Sequence, residues 1–435
     1  MSDKDKILVI GAGIAGMEAS LLLANAGKSV VLVERSPITG GNTIKNEDSF
    51  PNLECSTCMI APIQQDILQN PDIEVMTLSE VKDVEGEVGD FNVTIHKKAR
   101  YVSLTDCIGC GMCYEPCPVT LKNEWEENLT EKKAIYVPCD GSLPNVPAID
   151  PEHCLNISGK KECNACAEAC VFGAIDFSEK DSEVQVNVKT IIVATGFDLF
   201  DAGKLSNLGY GKFPGVYTSM EFERLFASNG PTSGDLLLRD GEKSPESVAI
   251  INCVGREELG YCSGICCMDS FKYTHFIKSK LPEAKVYNIH SDMCLPNKTY
   301  QNFYKRIKDE GGNFIFQSSP EQVNIEESDG KIKVNLAEGN GAPESLSVDM
   351  VILENAVTPP EGAEELGGIL GIELDSKGFF HTGNGNTGTV ETSRPGIFAV
   401  GCAEGPKDMQ NSVIQAEAAV GRALSLGGIK GKVKE

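Results

Sequence analysis

The run KILVIGAGIAGMEASLLLANAGKSVVLVER, residues 6–35, leaves the chain few ways to fold. An apolar stretch ends in Gly11-x-Gly13-x-x-Gly16, an Ala- and Leu-rich stretch follows, and a second apolar stretch closes the run. That order reads strand, glycine turn, helix, strand, one half-unit of a parallel α/β sheet. Placed there, the glycines let the backbone approach a pyrophosphate, and the helix N-terminus favours its negative charge. Glu34, followed by Arg35, ends the second strand and is placed to accept hydrogen bonds from a ribose 2′-hydroxyl, disfavouring a 2′-phosphate. A tight turn with close helix–strand packing would need the same glycines, but the flanking strand and helix favour a dinucleotide.

The alternation recurs. SVAIINCVG at 247–255, a helix-like run and KVYNIH at 285–290 predict a second Rossmann-like domain. β-rich stretches near 73–102 and before IIVATG at 191–196 lie between the two, and an Ala-rich helical run from about Asn411 to Leu424 follows GIFAVGCAEG. Gly40, Gly41 and Asn42 stand where flavoproteins of the two-dinucleotide-binding type carry a second FAD contact. IIVATG, with Ala194, Thr195 and Gly196, and GIFAVGCAEG, with Gly401, Cys402 and Ala403, resemble the other two signatures of those proteins. The resemblance implies FAD rather than NAD. The second domain has Asn252, Cys253, Val254, Gly255 and Arg256 where a nicotinamide fingerprint would need its glycines.

Seventeen cysteines in a chain without a secretory leader favour metal ligation over disulfides. Cys107, Cys110, Cys113 and Cys117-Pro118 form C-x2-C-x2-C-x3-C-P, the bacterial ferredoxin run. Cys154, Cys163, Cys166 and Cys170 repeat it with a longer first gap. In two-cluster ferredoxins the last cysteine of each run ligates the other cluster. That likeness implies one [4Fe-4S] cluster on Cys107, Cys110, Cys113 and Cys170, and another on Cys117, Cys154, Cys163 and Cys166. Four cysteines can also hold tetrahedral zinc, which the duplicated run and Pro118 argue against. Cys253, Cys262, Cys266 and Cys267 form a third set, read as ligands of a further cluster against the alternative of small buried hydrophobes.

The order of FAD motif, CSTC, ferredoxin insertion, ATGFD, CVG…YCSGICCM and GCAEGPKD resembles the central flavin module of the heterodisulfide reductase A-subunit family over nearly the whole chain. The resemblance implies a thioredoxin reductase type of α/β fold with two Rossmann-like dinucleotide-binding domains and an inserted two-cluster ferredoxin-like domain. The expected boundaries are 1–100 for the first part of the FAD-binding domain, 101–180 for the insertion and 181–245 for the FAD-binding continuation and linker. Residues 246–356 form the second Rossmann-like domain, and 357–435 return to the first. In that family a cluster sits on cysteines matching Cys253, Cys262, Cys266 and Cys267, although the gap between the first two is shorter here. Asn355 replaces an A-T-G signature. The chain reads as a short form, without the N-terminal extension and further ferredoxin domain of longer members.

The function implied is that of an FAD and [4Fe-4S] oxidoreductase component performing flavin-based electron bifurcation or confurcation. Its implied partners are B- and C-like subunits, a donor module linked to hydrogenase, formate or NADH, and ferredoxin, within a larger complex that includes copies of the chain. Disulfide reduction is expected in a partner. A non-bifurcating relay of a quinone-linked respiratory complex and a non-catalytic scaffold with vestigial motifs are the alternatives.

Cys55 and Cys58 form a C-x-x-C read either as a redox pair facing a flavin or as buried thiols packed beside it. Lys407 is either a cation near the flavin or a surface lysine. Cys139, Cys294 and Cys402 are read as structural. The five histidines lack nucleophile or metal partners in sequence. A formal charge of -24 disfavours nucleic acid, and the absence of a long apolar run disfavours membrane insertion, so a cytoplasmic, soluble protein is expected.

Overall fold

A computed structural model describes residues 5–427 except 240, 242, 320–321, 329, 337–344 and 384–389. The chain divides into two compact units, one of Met1–Ile44, Cys58–Gly196 and Pro359–Glu435, the other of Lys45–Thr57 and Phe197–Thr358.

The first unit is built on a five-stranded parallel sheet in the order Ile397–Ala399, Thr190–Val193, Lys6–Ile10, Ser29–Val33, Ile73–Met76. Strand side chains alternate between faces, and both faces are apolar. Ile7, Val9, Val30, Leu32 and Ile192 enter one core together with the helices Ile14–Asn25 and Met409–Gly427. Leu8, Ile10, Val31, Val33, Ile191 and Val193 enter the opposite core, against an antiparallel sheet of Ser182–Val188, Asp90–Lys97 and Ser79–Glu87. The helix Ile14–Asn25 stops where Gly27 takes φ +79°, a conformation that ends a helix without steric cost.

The cysteine-rich stretch has short elements only: paired strands Thr120–Lys122 and Glu131–Lys133, paired strands Ile135–Tyr136 and Ala148–Ile149, and the helix Ala165–Ala169. Its small core contains Ala134, Ile135, Val146 and Ile149 together with Cys117, Cys154 and Cys166. Arg100 stitches this stretch to the segments that follow two strands of the parallel sheet. Its guanidinium donates to the Val146 carbonyl at 2.8 Å, to the Pro37 carbonyl at 2.6 Å and to Thr77 Oγ1 at 2.7 Å. Burial pulls the Arg100 pKa down to about 10, so it remains charged at neutral pH among these acceptors.

The second unit repeats the parallel design, in the order Val216–Thr218, Met350–Asn355, Ser247–Val254, Lys285–His290, Asn313–Phe316. All eight residues of Ser247–Val254 are buried, as a central parallel strand requires. The pairing register slips between Ile251 and Val254, where Cys253 takes φ +65°, so the strand is irregular at its thiol.

Beneath this sheet lies an ionic group that the sequence does not announce. Lys272, 1% exposed at its side chain, pairs with Glu223 at 2.8 Å and Asp269 at 3.1 Å and donates to Asn46 Oδ1 at 3.1 Å. Burial alone would favour the neutral amine, but the two carboxylates more than offset it and hold the ammonium charged. Burial, with Asp269 nearby, pushes the Glu354 carboxyl well up. Lys272→Met leaves two carboxylates buried without their cation and is expected to cost about 3–5 kcal/mol of unfolding free energy in a urea titration; a loss below about 1 kcal/mol would contradict the pairing.

Candidate functional site

The glycine turn is held by contacts that only glycine permits. A Cβ on Gly16 would lie 1.8 Å from the Gly11 carbonyl oxygen, and one on Gly11, at φ +102°, would lie 2.3 Å from the Ala194 carbonyl oxygen. Gly13 faces open space, with Gly41 Cα the nearest atom at 4.0 Å from an added Cβ. Gly40 donates to the Ala12 carbonyl at 2.8 Å, so Gly40 and Gly41 are brought against the first turn, and Asn42 follows in the short helical segment Gly41–Lys45. The helix that starts at Ile14 has no side-chain cap, which leaves its N–H groups available to an anion.

Glu34 is anchored by two backbone donors, Ala12 N at 2.7 Å and Ser36 N at 2.8 Å, one to each carboxylate oxygen. Each oxygen keeps a second lone pair for a ligand hydroxyl. Gly11, Glu34, Arg35 and Thr195 line one cavity of about 390 Å³, closed by the stretches at 79–82 and 360–363. Thr195 Oγ1 is buried there without a hydrogen-bond partner, and Gly196 beside it takes φ +76°. An open glycine turn, an anchored carboxylate, an orphaned hydroxyl and an uncapped helix start are what the diphosphate and adenosine of a dinucleotide need. The walls at 79–82 and 360–363 carry no motif, which is why sequence alone does not reveal them.

Gly401, Cys402 and Ala403 form a buried helical turn after the strand Ile397–Ala399. Gly401 N donates to Gln415 Oε1 at 2.9 Å, and Cys402 Sγ donates to the Lys407 carbonyl at 3.2 Å. Lys407 is not a surface lysine. Its ammonium donates to Gly401 O at 2.8 Å, Gly405 O at 2.6 Å and Glu404 Oε2 at 2.7 Å, so it acts as a brace of this turn. Burial would raise the Glu404 carboxyl, but Lys407, Gln415 and Thr382 hold it below its ordinary value.

The cysteines gather in three places. Cys117, Cys154, Cys163 and Cys166 surround one small cavity with Pro118 and Phe177. Cys107, Cys110 and Cys166 are the near neighbours of Cys113, so the two runs meet at that residue, and within the first run Gly109 and Gly111 take φ +70° and +75°. Cys107 Sγ accepts from Gly109 N and Cys170 Sγ from Ala174 N, both at 3.4 Å. Burial raises the Cys113 thiol to about 12 and the Cys166 thiol to about 11, each helped by the neighbouring sulfurs.

The third gathering has Cys253, Cys266 and Cys267 buried and Cys262 exposed, and burial lifts Cys267 to about 12 and Cys266 well above its ordinary value. Cys294 belongs with them. It accompanies Cys267 in a cluster with Phe50, Leu53, Met293 and Phe271, a placement that its isolated position in the sequence does not signal. Among the described residues no three metal-binding side chains converge tightly enough to hold a single ion. The donor sets nevertheless fit clusters, being all sulfur, with Cys117, Cys154, Cys166, Cys253, Cys266 and Cys267 buried and the rest partly or fully exposed.

Cys55 and Cys58 are the two cysteines not free, and they form a disulfide at the start of the helix Ser56–Gln69, in place of the buried thiols of one reading above. Cys139 packs in the first unit's core.

Residues 6–47 match the model of the FAD dependent oxidoreductase family. The chain is 37% identical over 440 residues to the A subunit of the H2:CoB-CoM heterodisulfide, ferredoxin reductase of Methanothermobacter marburgensis, covering 100% of this chain and 65% of that protein. It is 39% identical to the first of the iron-sulfur A subunits of CoB–CoM heterodisulfide reductase in Methanopyrus kandleri, covering 99% of this chain and 65% of the relative. The chain thus spans a little under two thirds of these relatives' length. Thioredoxin reductase of Lactococcus lactis superposes with a TM-score of 0.51 at 15% identity, covering 97% of this chain and 99% of that one. LpdA of Mycobacterium tuberculosis superposes with 0.53 at 12%, covering 99% and 74%. These two place the fold among α/β flavoproteins of the thioredoxin reductase type.

Gly16→Ala drives a methyl group into the Gly11 carbonyl and is expected to weaken FAD binding at least about tenfold, read by flavin fluorescence on titration; unchanged affinity would contradict the cradle.

Proposed function

For an oxidoreductase chain homologous along its whole length to the A subunits of heterodisulfide reductases, we propose an FAD and [4Fe-4S] electron-transfer role in which electron pairs are divided or combined between two acceptors. The observation that carries this reading is that one compact unit contains both the dinucleotide cradle and the two meeting cysteine runs. FAD, when bound, exchanges electrons singly or in pairs, and iron-sulfur clusters exchange them one at a time.

The residues have distinct tasks in this reading. Gly11, Gly13 and Gly16 admit the diphosphate, Glu34 orients the ribose, and Thr195 supplies a hydroxyl without another partner. Gly40, Gly41 and Asn42, with Gly401, Cys402 and Ala403, carry the rest of the FAD site, and Lys407 braces it through Gly401 and Glu404. Cys107, Cys110, Cys113 and Cys170 hold one cluster, and Cys117, Cys154, Cys163 and Cys166 another, in a ferredoxin-like insertion. Cys253, Cys262, Cys266 and Cys267 hold a third.

Division between two acceptors is favoured by the relative whose name couples hydrogen, a heterodisulfide and ferredoxin. Disulfide reduction then belongs to B- and C-like partners, and the low-potential path to ferredoxin. Among the described residues no helix is long and apolar enough to cross a membrane.

Redox titration of the flavin in the anaerobically purified chain tests this reading. Inverted order of the two one-electron potentials is expected for a dividing flavin. Potentials in normal order would replace it with the quinone-linked or other single-path relay.

A further inference from the structure

The second unit assembles five cysteines where a four-iron cluster takes four. Three of them, Cys253, Cys266 and Cys267, are 5%, 6% and 3% exposed and fixed by the strand end and the helix Cys266–Lys280. The other two face solvent. Cys262 is exposed and Cys294 half-buried, and the two are electrostatic neighbours.

Cys294 reaches this place from a different segment, after the strand Lys285–His290. It packs beside Cys267, and its sulfur lies 3.9 Å from where a Cβ on Gly264 would sit, inside the loop between Cys262 and Cys266. Met293 and Leu295, on either side, pack with Cys267 and Phe271. Arg256, three residues after Cys253, ties the two segments together by its ion pair with Asp292 at 3.0 Å.

We propose that Cys262 and Cys294 are interchangeable fourth ligands of this cluster, Cys253, Cys266 and Cys267 being the fixed three. The proposal rests on the reading that this group holds a cluster at all. The sulfur that binds iron gives up its proton. The other would remain a thiol, and on exchange the incoming sulfur would lose its proton as the released one takes a proton up, so one thiolate replaces another and the net charge is unchanged. A fourth position that can be filled from two segments lets the cluster survive damage at its exposed ligand.

Iron, acid-labile sulfide and low-temperature electron paramagnetic resonance of the anaerobically purified chain test this. Cys253→Ala is expected to lose about four irons per chain, Cys262→Ala and Cys294→Ala each to retain them with an altered resonance, and the double variant Cys262→Ala/Cys294→Ala to lose about four. Loss of those irons in either single variant, or their retention in the double variant, would overturn the exchange. Full iron in Cys253→Ala would instead remove the cluster and with it the reading it rests on. Circular dichroism of each variant separates ligand loss from unfolding.

Discussion

Buried sulfurs set the terms on which this molecule works. A thiol removed from water and placed beside other thiols does not ionise near neutral pH, and Cys113, Cys166 and Cys267, raised to about 12, 11 and 12, are in that position. A metal takes the place of the proton and supplies the positive charge that the protein withholds. At these three positions the fold presents sulfurs that burial keeps protonated, so that iron in the proposed clusters would displace the proton.

The same economy governs the nucleotide cradle. Charge is supplied there by the backbone, through the uncapped helix at Ile14, and by Glu34, a carboxylate held in place by Ala12 and Ser36. Arg100 links the cysteine-rich stretch to the sheet that carries the cradle through Val146 on one side and Pro37 and Thr77 on the other, so cradle and cysteines are parts of one packed unit rather than beads on a linker. Electron transfer between cofactors benefits from such fixed spacing, because nothing needs to be repositioned between steps.

Much of this was legible in the sequence because chemistry demands particular residues at particular places. The runs at 6–10, 247–254 and 285–290 are strands because both faces of a parallel sheet are apolar. The glycines at 11 and 16 are needed because a Cβ would strike backbone. What was not legible depends on tertiary packing. The cavity walls at 79–82 and 360–363 come from segments with no motif. Cys294 joins four cysteines that lie at least 27 residues earlier because the strand before it, Lys285–His290, pairs with Ser247–Val254, the strand that carries Cys253. Residues 45–57 fall in the second unit although they interrupt the first, and the Lys272 group depends on that excursion through Asn46.

The most direct test of the account is quantification of iron, acid-labile sulfide and FAD on the anaerobically purified chain. Three four-iron clusters beside one flavin predict about twelve irons and about twelve sulfides per FAD. Iron without labile sulfide, zinc in place of iron, or no flavin would contradict it.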